Sequence, residues 1–445
     1  MNPTFELATF AAQTRLDDVP DHVRARTRTI ILDALANALA GRDADETPAV
    51  VSAARRIHGP GEATLLSGGT GSLAAASMAN AYLITAVTVC DVHFPTMCHV
   101  TPEVIPPALA IAEERGLSGE ALLLAIVLGL EVTTRVGLGL GYAPFRARGF
   151  HSPGVTGAFG AAAAVGSLLG VDPTAMNFAF GIAASQAAGT WAQLGTPTIK
   201  FQQAHGALSG LHAGVLASVG FTAADDGLGA ADGGLFTSYS EGGDPAAMLD
   251  GLGTRWELEN ISLRPSPAAA YLQGVVTAML RLTAAEAPAV DDVRSVRVGL
   301  SATGFKLHGE RDPRDRFLAR ISARYVAAVV LHDRACWMEQ FSTERFGDEA
   351  LLAFARERVV AFEDPAVTEG GASIEVNLND GRVIREVAPV AKGDPADPLT
   401  FDEAAAKLKA AGAGKVPPSV LEETAAVVAR LEQVPDSRTI LAPFR

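Results

Sequence analysis

Apolar residues recur at three- and four-residue spacing through most of the first 260 positions, the period of helices with one buried face. ARTRTIILDALANALAG (25–41) has this spacing and ends on Gly41, a residue suited to the left-handed turn that closes many helices. LAAASMANAYLITAV (73–87), EVIPPALAIAEERG (103–116), EALLLAIVLGLEVTTRVG (120–137) and GALSGLHAGVLASVG (206–220) repeat the pattern. Their many small residues allow close helix–helix approach. From about residue 265 the texture changes. VRSVRVGLSA (293–302) reads as a strand, and SIEVNLNDGRVIREV (373–387) alternates on both sides of Asp380-Gly381, a strong hairpin signal. Between them, RISARYVAAVVL (320–331) and DEALLAFARERVVAF (348–362) read as helices. TFDEAAAKLKAAG (400–412) then opens with a capping box, Thr400 and Glu403, and sets Lys407 and Lys409 toward the helix C-terminus, where the dipole favours cations. PPSVLEETAAVVARLEQV (417–434) is a last helix. The expected fold is mainly α: a large all-α domain from residues 1–264 and 399–445, with a smaller α+β lid domain, 265–398, inserted.

Composition narrows the function. The chain is 48% hydrophobic and 19% charged, enough to bury a large core. Its net charge of −14 argues against a nucleic-acid partner, which requires clustered Lys and Arg. A small acidic substrate stays open, since it needs only local positive charge. Between Arg148 and Lys200 the only ionic residue is Asp172. These neutral runs are rich in Ala, Gly, Ser and Thr and broken by Pro153, Pro173 and Pro197, so buried helices in a soluble core are expected rather than a membrane span. Three cysteines and a start without a basic-then-apolar leader point to a reduced, cytoplasmic protein.

The reactive side chains concentrate in CDVHFPTMCHVTP (90–102), with Cys90, Asp91, His93, Cys98 and His99. Structural zinc needs two close ligand pairs, and an iron–sulfur cluster needs three or four thiolates; the spacing here fits neither. P-loop, nucleophile-elbow and HExxH motifs are absent. Pro95 argues for a loop. Histidines titrate near neutrality, and an aspartate can orient one, so an acid/base role stands beside a plain capping role. Two further stations matter. His151 precedes a neutral helix and is expected to be partly desolvated. Lys200 follows 27 neutral residues, and a buried cation there needs a protein or substrate carboxylate; the alternative is a lysine reaching out from a helix end.

Several stretches, in order along nearly the whole chain, resemble the MmgE/PrpD family: ATLLSGGTGSLAAASMANAYLITAV, CDVHFPTMCHVTPEVIPPALAIAE, GFHSPGVTGAFGAAAAVGSLLGV, TIKFQQAHGALSGLHAGVLASVGFTAADDGL, RISARYVAAVVL and KGDPADPLTFDEAAAKLK. The family includes 2-methylcitrate dehydratases, cis-aconitate decarboxylases and iminodisuccinate epimerases. The resemblance implies the two-domain fold, a homodimer, no metal or organic cofactor, and a di- or tricarboxylate substrate. It carries His99, His151, Lys200 and Tyr325 onto active-site positions, with Asp91 to orient a histidine. Arg264, His93 and Thr88 fall where substrate contacts are implied. The chain departs from the pattern at Thr88 and Cys90, where relatives carry acids, and at Arg264, Ser266 and Gln273, where the family has the Lys and Tyr of Lys-x-Tyr-Pro and a histidine; Pro267 keeps the Pro. The implied reaction is proton abstraction next to a carboxylate, first as a dehydratase. An epimerase or a decarboxylase is the alternative, and an inactive carboxylate-binding homologue the non-enzymatic one.

Overall fold

The computed structural model describes residues 2–445. The chain forms two compact units, one of residues up to Ile261 together with Thr400–Arg445, the other of Ser262–Leu399.

The first unit is a helical body. Helix α1 (Asp21–Gly41) is buried along its whole second half and packs on α2 (Leu73–Thr85). Gly41 does end α1, but not through a left-handed turn, because its φ is not positive. A Cβ there would lie 2.0 Å from the Leu83 carbonyl oxygen, so glycine is required for the close approach of α2. The body continues with α3 (Thr101–Arg115), α4 (Gly119–Leu140), α5 (Ser152–Leu168), α6 (Pro173–Gln186) and α7 (Thr198–Ser218). Every residue of α5 from Ser152 to Gly166 is buried, mostly against α4 and α7, so its run of Ala and Gly is a packing surface on all sides. Among the described residues α4 is the one helix long and apolar enough to cross a membrane, and it is mostly buried among its neighbours.

Two short ribbons correct the all-α expectation for this unit. Strand β1 (Ala63–Thr64) pairs antiparallel with β2 (Thr70–Gly71), and β3 (Val92–His93) pairs with β4 (Ile261–Ser262), where the chain leaves the unit. The mainly α character holds.

The second unit has a four-stranded sheet in the order β6-β5-β7-β8. Central β5 (Val293–Leu300) runs parallel to β6 (Val359–Glu363) and antiparallel to β7 (Ala372–Leu378), which turns at Asp380-Gly381 into β8 (Val383–Ala388). Helices α8 (Gln273–Ala285) and α9 (Ala323–Asp333) pack on this sheet and share its core of Val296, Val298, Ile374, Val376, Val326 and Val330. Two sequence-based helices are shorter than expected. The 320–331 segment breaks at Ser322, whose hydroxyl accepts from the Tyr325 N–H and starts α9. The 348–362 segment is helical only as α10 (Glu349–Glu357); Val359 and Val360 then enter β6, because β-branched pairs fit a sheet edge better than a helix end. The unit is a self-contained α+β body with its own core, and nothing in it taken by itself marks a lid, so that description is withdrawn.

The chain re-enters the first unit as α11 (Phe401–Gly412) and α12 (Pro418–Ala429). The capping box at Thr400 and Glu403 is formed in both directions. Lys407, expected as an exposed dipole cation, is instead buried against α1, where its ammonium meets Asp33 at 2.6 Å.

Candidate active site

The loop after α2 is held by two buried lysines. Lys200, in the first turn of α7, donates to the Ala86 carbonyl and to the Thr88 hydroxyl at 2.9 Å. Lys407 donates to the Val89 carbonyl at 3.1 Å. Between these anchors Thr88 has φ 63°, a left-handed conformation that a β-branched residue takes only when its surroundings impose it.

Asp91 follows, fully buried. Its carboxylate accepts from the main-chain N–H groups of Val100 (2.6 Å) and Thr101 (3.1 Å) and from the Thr101 hydroxyl. It therefore satisfies the open N–H groups at the start of α3, where helix geometry favours an anion. Asp91 also holds a histidine, through its backbone carbonyl, 2.6 Å from His99 Nδ1. A carbonyl only accepts, so Nδ1 carries the proton and the neutral ring has its lone pair on Nε2.

The chain between Asp91 and His99 is a tight hairpin, closed by the His93 N–H on the Cys98 carbonyl at 2.8 Å. His93 is fully buried, with Nδ1 2.8 Å from the Thr96 hydroxyl and Nε2 3.0 Å from Glu257. Burial pushes the Glu257 carboxyl up, but the hydrogen bonds from His93 and Asn260 and the charges of His93 and Arg255 bring it down to about 2. Both His93 nitrogens are thus committed inside the protein. The substrate-binding expectation for His93 is replaced by a brace for the hairpin. Cys98 lies 3.2 Å from the Thr156 hydroxyl, tying the hairpin's end to α5. Burial and the neighbouring Glu103 raise its thiol well above the usual range, so the thiolate is suppressed. Among the described residues no group of three His, Cys, Asp or Glu side chains is arranged to hold a metal.

His151 stands at the start of α5, almost wholly buried, with Nδ1 2.7 Å from Gln202 Oε1. Burial lowers its pKa to about 4; the Gln202 bond opposes the shift and the Arg146 charge adds to it. His151 is therefore a neutral imidazole at physiological pH. Gln202 belongs to the same turn of α7 as Lys200, so one helix end holds both the 86–88 loop and His151.

Two residues escaped sequence reasoning. Gln202 carried no signal beyond its closeness to Lys200. Glu103, in the first turn of α3, is fully buried with no hydrogen-bond partner on either oxygen. Burial, with Asp91 as a lesser cause, pushes its pKa well up. Its side chain fits because Gly157 leaves the space; a Cβ there would lie 2.2 Å from Glu103 Cγ.

Arg264 and Tyr325 belong to the second unit. Arg264 is buried, with Nη1 3.5 Å from the Ala268 carbonyl. Gln273 braces the same turn by donating to the Ser266 (3.0 Å) and Ala268 (2.8 Å) carbonyls. Tyr325 is fully buried between Phe341 and Phe346, and its hydroxyl donates to the Gln340 carbonyl at 2.7 Å. Burial raises its pKa far above the usual phenol value. Its hydroxyl is thus engaged inside its own unit.

A helical unit carrying a histidine pair and a buried lysine, with an α+β unit inserted in the chain, is the setting in which the comparisons fall. Residues 5–248 match the MmgE/PrpD N-terminal domain and residues 266–433 the MmgE/PrpD C-terminal domain, and the chain belongs to the MmgE/PrpD family. Cis-aconitate decarboxylase of Aspergillus terreus is 30% identical over 361 residues, 76% of this chain and 74% of its own. Cis-aconitate decarboxylase-like protein oryM of Aspergillus oryzae is 27% identical over 469 residues, 99% of this chain and 97% of its own. The mouse cis-aconitate decarboxylase is 25% identical over 353 residues, 76% and 72% of the two chains. Family and relatives together support a lyase-type enzyme.

Proposed function

We propose that this protein is a cofactor-independent lyase that decarboxylates an unsaturated tricarboxylate of the cis-aconitate type. The names of the relatives support the substrate class. The observation that carries the chemistry is the two histidines of the helical unit, His99 and His151, each held with Nδ1 on an oxygen acceptor. In the reaction the bond to the departing carboxylate breaks and its electrons form a new double bond to the neighbouring carbon. The original double bond shifts its electrons to the far carbon, which takes up a proton. His99, half-buried, is the donor through a protonated Nε2. His151 stays neutral, so it adds no cation that would stabilise the departing carboxylate in its ground state. Lys200 binds a carboxylate that remains, and Thr88 presents its hydroxyl beside it. Each proton-transfer histidine is expected to contribute roughly 10²- to 10⁴-fold.

A second reading is dehydration, favoured by the neutral, buried His151, whose Nε2 lone pair suits abstraction of a proton next to a carboxylate. His99 would then protonate the leaving hydroxyl. Incubation with cis-aconitate and, separately, 2-methylcitrate distinguishes the two. Carbon dioxide release from the first supports decarboxylation; alkene absorbance from the second without carbon dioxide release supports dehydration. Deuterium uptake from solvent with neither product would replace both with epimerisation. Replacing His99 with Ala should remove turnover in either case, and replacing His151 with Ala should remove dehydration; full activity in both variants would end the acid/base assignment. A dimer of identical chains is part of the same proposal and is checked by sedimentation.

A further inference from the structure

We infer that Gln202 is a positioning residue that decides which nitrogen of His151 carries the proton, taking its own orientation from the Thr190 carbonyl. The inference rests on the dehydration reading, in which His151 Nε2 takes a proton.

A glutamine amide can face a ring nitrogen with either its oxygen or its NH2, and the ring answers with either tautomer. Here the choice is made from outside the pair. Gln202 Nε2 lies 3.0 Å from the Thr190 carbonyl oxygen, which only accepts. The NH2 group therefore faces Thr190 and Oε1 faces His151, 2.7 Å from Nδ1. Because Oε1 also only accepts, the proton sits on Nδ1 and the lone pair on Nε2. Turning the amide over would set oxygen against oxygen at Thr190 and lose that bond.

The surroundings hold this arrangement. Gln202 is buried on α7, and backbone closes on its side chain from two directions. A Cβ on Gly189 would lie 2.9 Å from Gln202 Oε1, and one on Gly154 would lie 3.2 Å from Gln202 Cβ. The segment carrying Thr190 is laced to the segment carrying His151. The His151 N–H donates to the Gly189 carbonyl at 3.1 Å, and the Trp191 N–H to the Gly149 carbonyl at 2.8 Å. Phe150 and Thr190 form a bridge between these bonds, and the Trp191 ring stands 5.8 Å from the imidazole. Reference carbonyl, amide and ring are thus one assembly. A neutral His151 in the other tautomer would present Nε2–H, a donor, and would have no lone pair there to receive a proton. Gln202 therefore acts on the fraction of molecules ready to react, which is a kcat effect rather than a binding effect.

The test uses the full chain with 15N-labelled histidine, the His151 signals identified by their loss in His151→Gln. The wild type is expected to show the Nδ1–H tautomer alone between about pH 5.5 and about pH 8. In Gln202→Leu the Nε2–H tautomer should appear, and kcat should fall about 10-fold or more with KM little changed. Gln202→Glu keeps an acceptor toward Nδ1, so it should keep the tautomer while raising the His151 pKa and moving the acid limb of the kcat profile upward. A Gln202→Leu protein with a normal melting curve and the wild-type tautomer overturns the inference. Should that variant not fold, an unchanged His151 titration in Gln202→Glu overturns it instead. A changed tautomer with undiminished turnover upholds the role of Gln202 and overturns the assignment of His151 to the chemistry, so the two claims fail separately.

Discussion

Asp91 divides its work between side chain and backbone. Its place beside two histidines suggests an orienting acid; its side chain caps α3 while its carbonyl holds His99. The distinction is measurable. Asparagine keeps only one of the two accepting oxygens and turns its NH2 on a buried donor, so Asp91→Asn should cost about 1–3 kcal/mol of stability while leaving kcat within a small factor, whereas loss of a reacting acid would cost roughly 10²-fold or more. Glu103 is the opposite case, chemically loaded and invisible in the sequence. A first-turn glutamate is ordinarily a solvated dipole partner; only the notch at Gly157, more than fifty positions downstream, seals it in. Because its pKa is raised on folding, the native state holds more protons than the unfolded chain once pH exceeds the ordinary value of 4.5. Its contribution to stability is therefore most favourable below that pH and declines as pH rises toward the folded pKa. Glu103→Met, of similar shape, should stabilise by about 1–3 kcal/mol near neutral pH, with a gain that shrinks on acidification. Denaturant melts at acid and alkaline pH check the trend; a gain that grew toward acid would contradict the buried, protonated carboxyl.

At the scale of elements, hydrophobic period located the long helices and the hairpin because those signals are local. The ends were harder. Val359-Val360 closed a helical pattern in the sequence and became β6, since pairing with β5 is a property of two distant segments. The same limit hid the role of α11. Its capping box was legible within four residues, but Lys407 meets a carboxylate 374 positions away. Removing that ammonium strands Asp33 in the core, so Lys407→Met should destabilise by about 3–5 kcal/mol in denaturant unfolding. Adding Asp33→Leu should restore most of the stability. Turnover should stay low in the double variant, because the Val89 carbonyl still lacks its donor and the loop before His99 is less well held. Recovery of both would show that Lys407 serves the core alone.

For the whole molecule, the change of texture near residue 265 was readable because a 3.6-residue period gave way to a two-residue one, whereas the short ribbons β1–β2 and β3–β4 were too small to leave a period. The overall charge has its own consequence. At −14 the chain would repel the proposed anionic substrate at long range, against the local attraction of Lys200. Raising ionic strength from about 0.01 to about 0.15 M shortens the screening length from about 30 to about 8 Å, so kcat/KM for a tricarboxylate should rise. A fall over that range would mean that the local positive field dominates approach.

The grip of Lys407 on the loop at Val89 also sets an order of events during biosynthesis. The ribosome delivers α1, α2 and the loop long before α11, and the whole of Ser262–Leu399 is made in between. Until α11 emerges, Asp33 is without that ammonium and the segment leading to His99 lacks one of its two lysine anchors. Until then the nascent chain waits in an incompletely packed form, and the loop gains its second lysine anchor only once α11 has been made. A chaperone that shelters exposed helical surface would have its longest engagement with this protein during that interval.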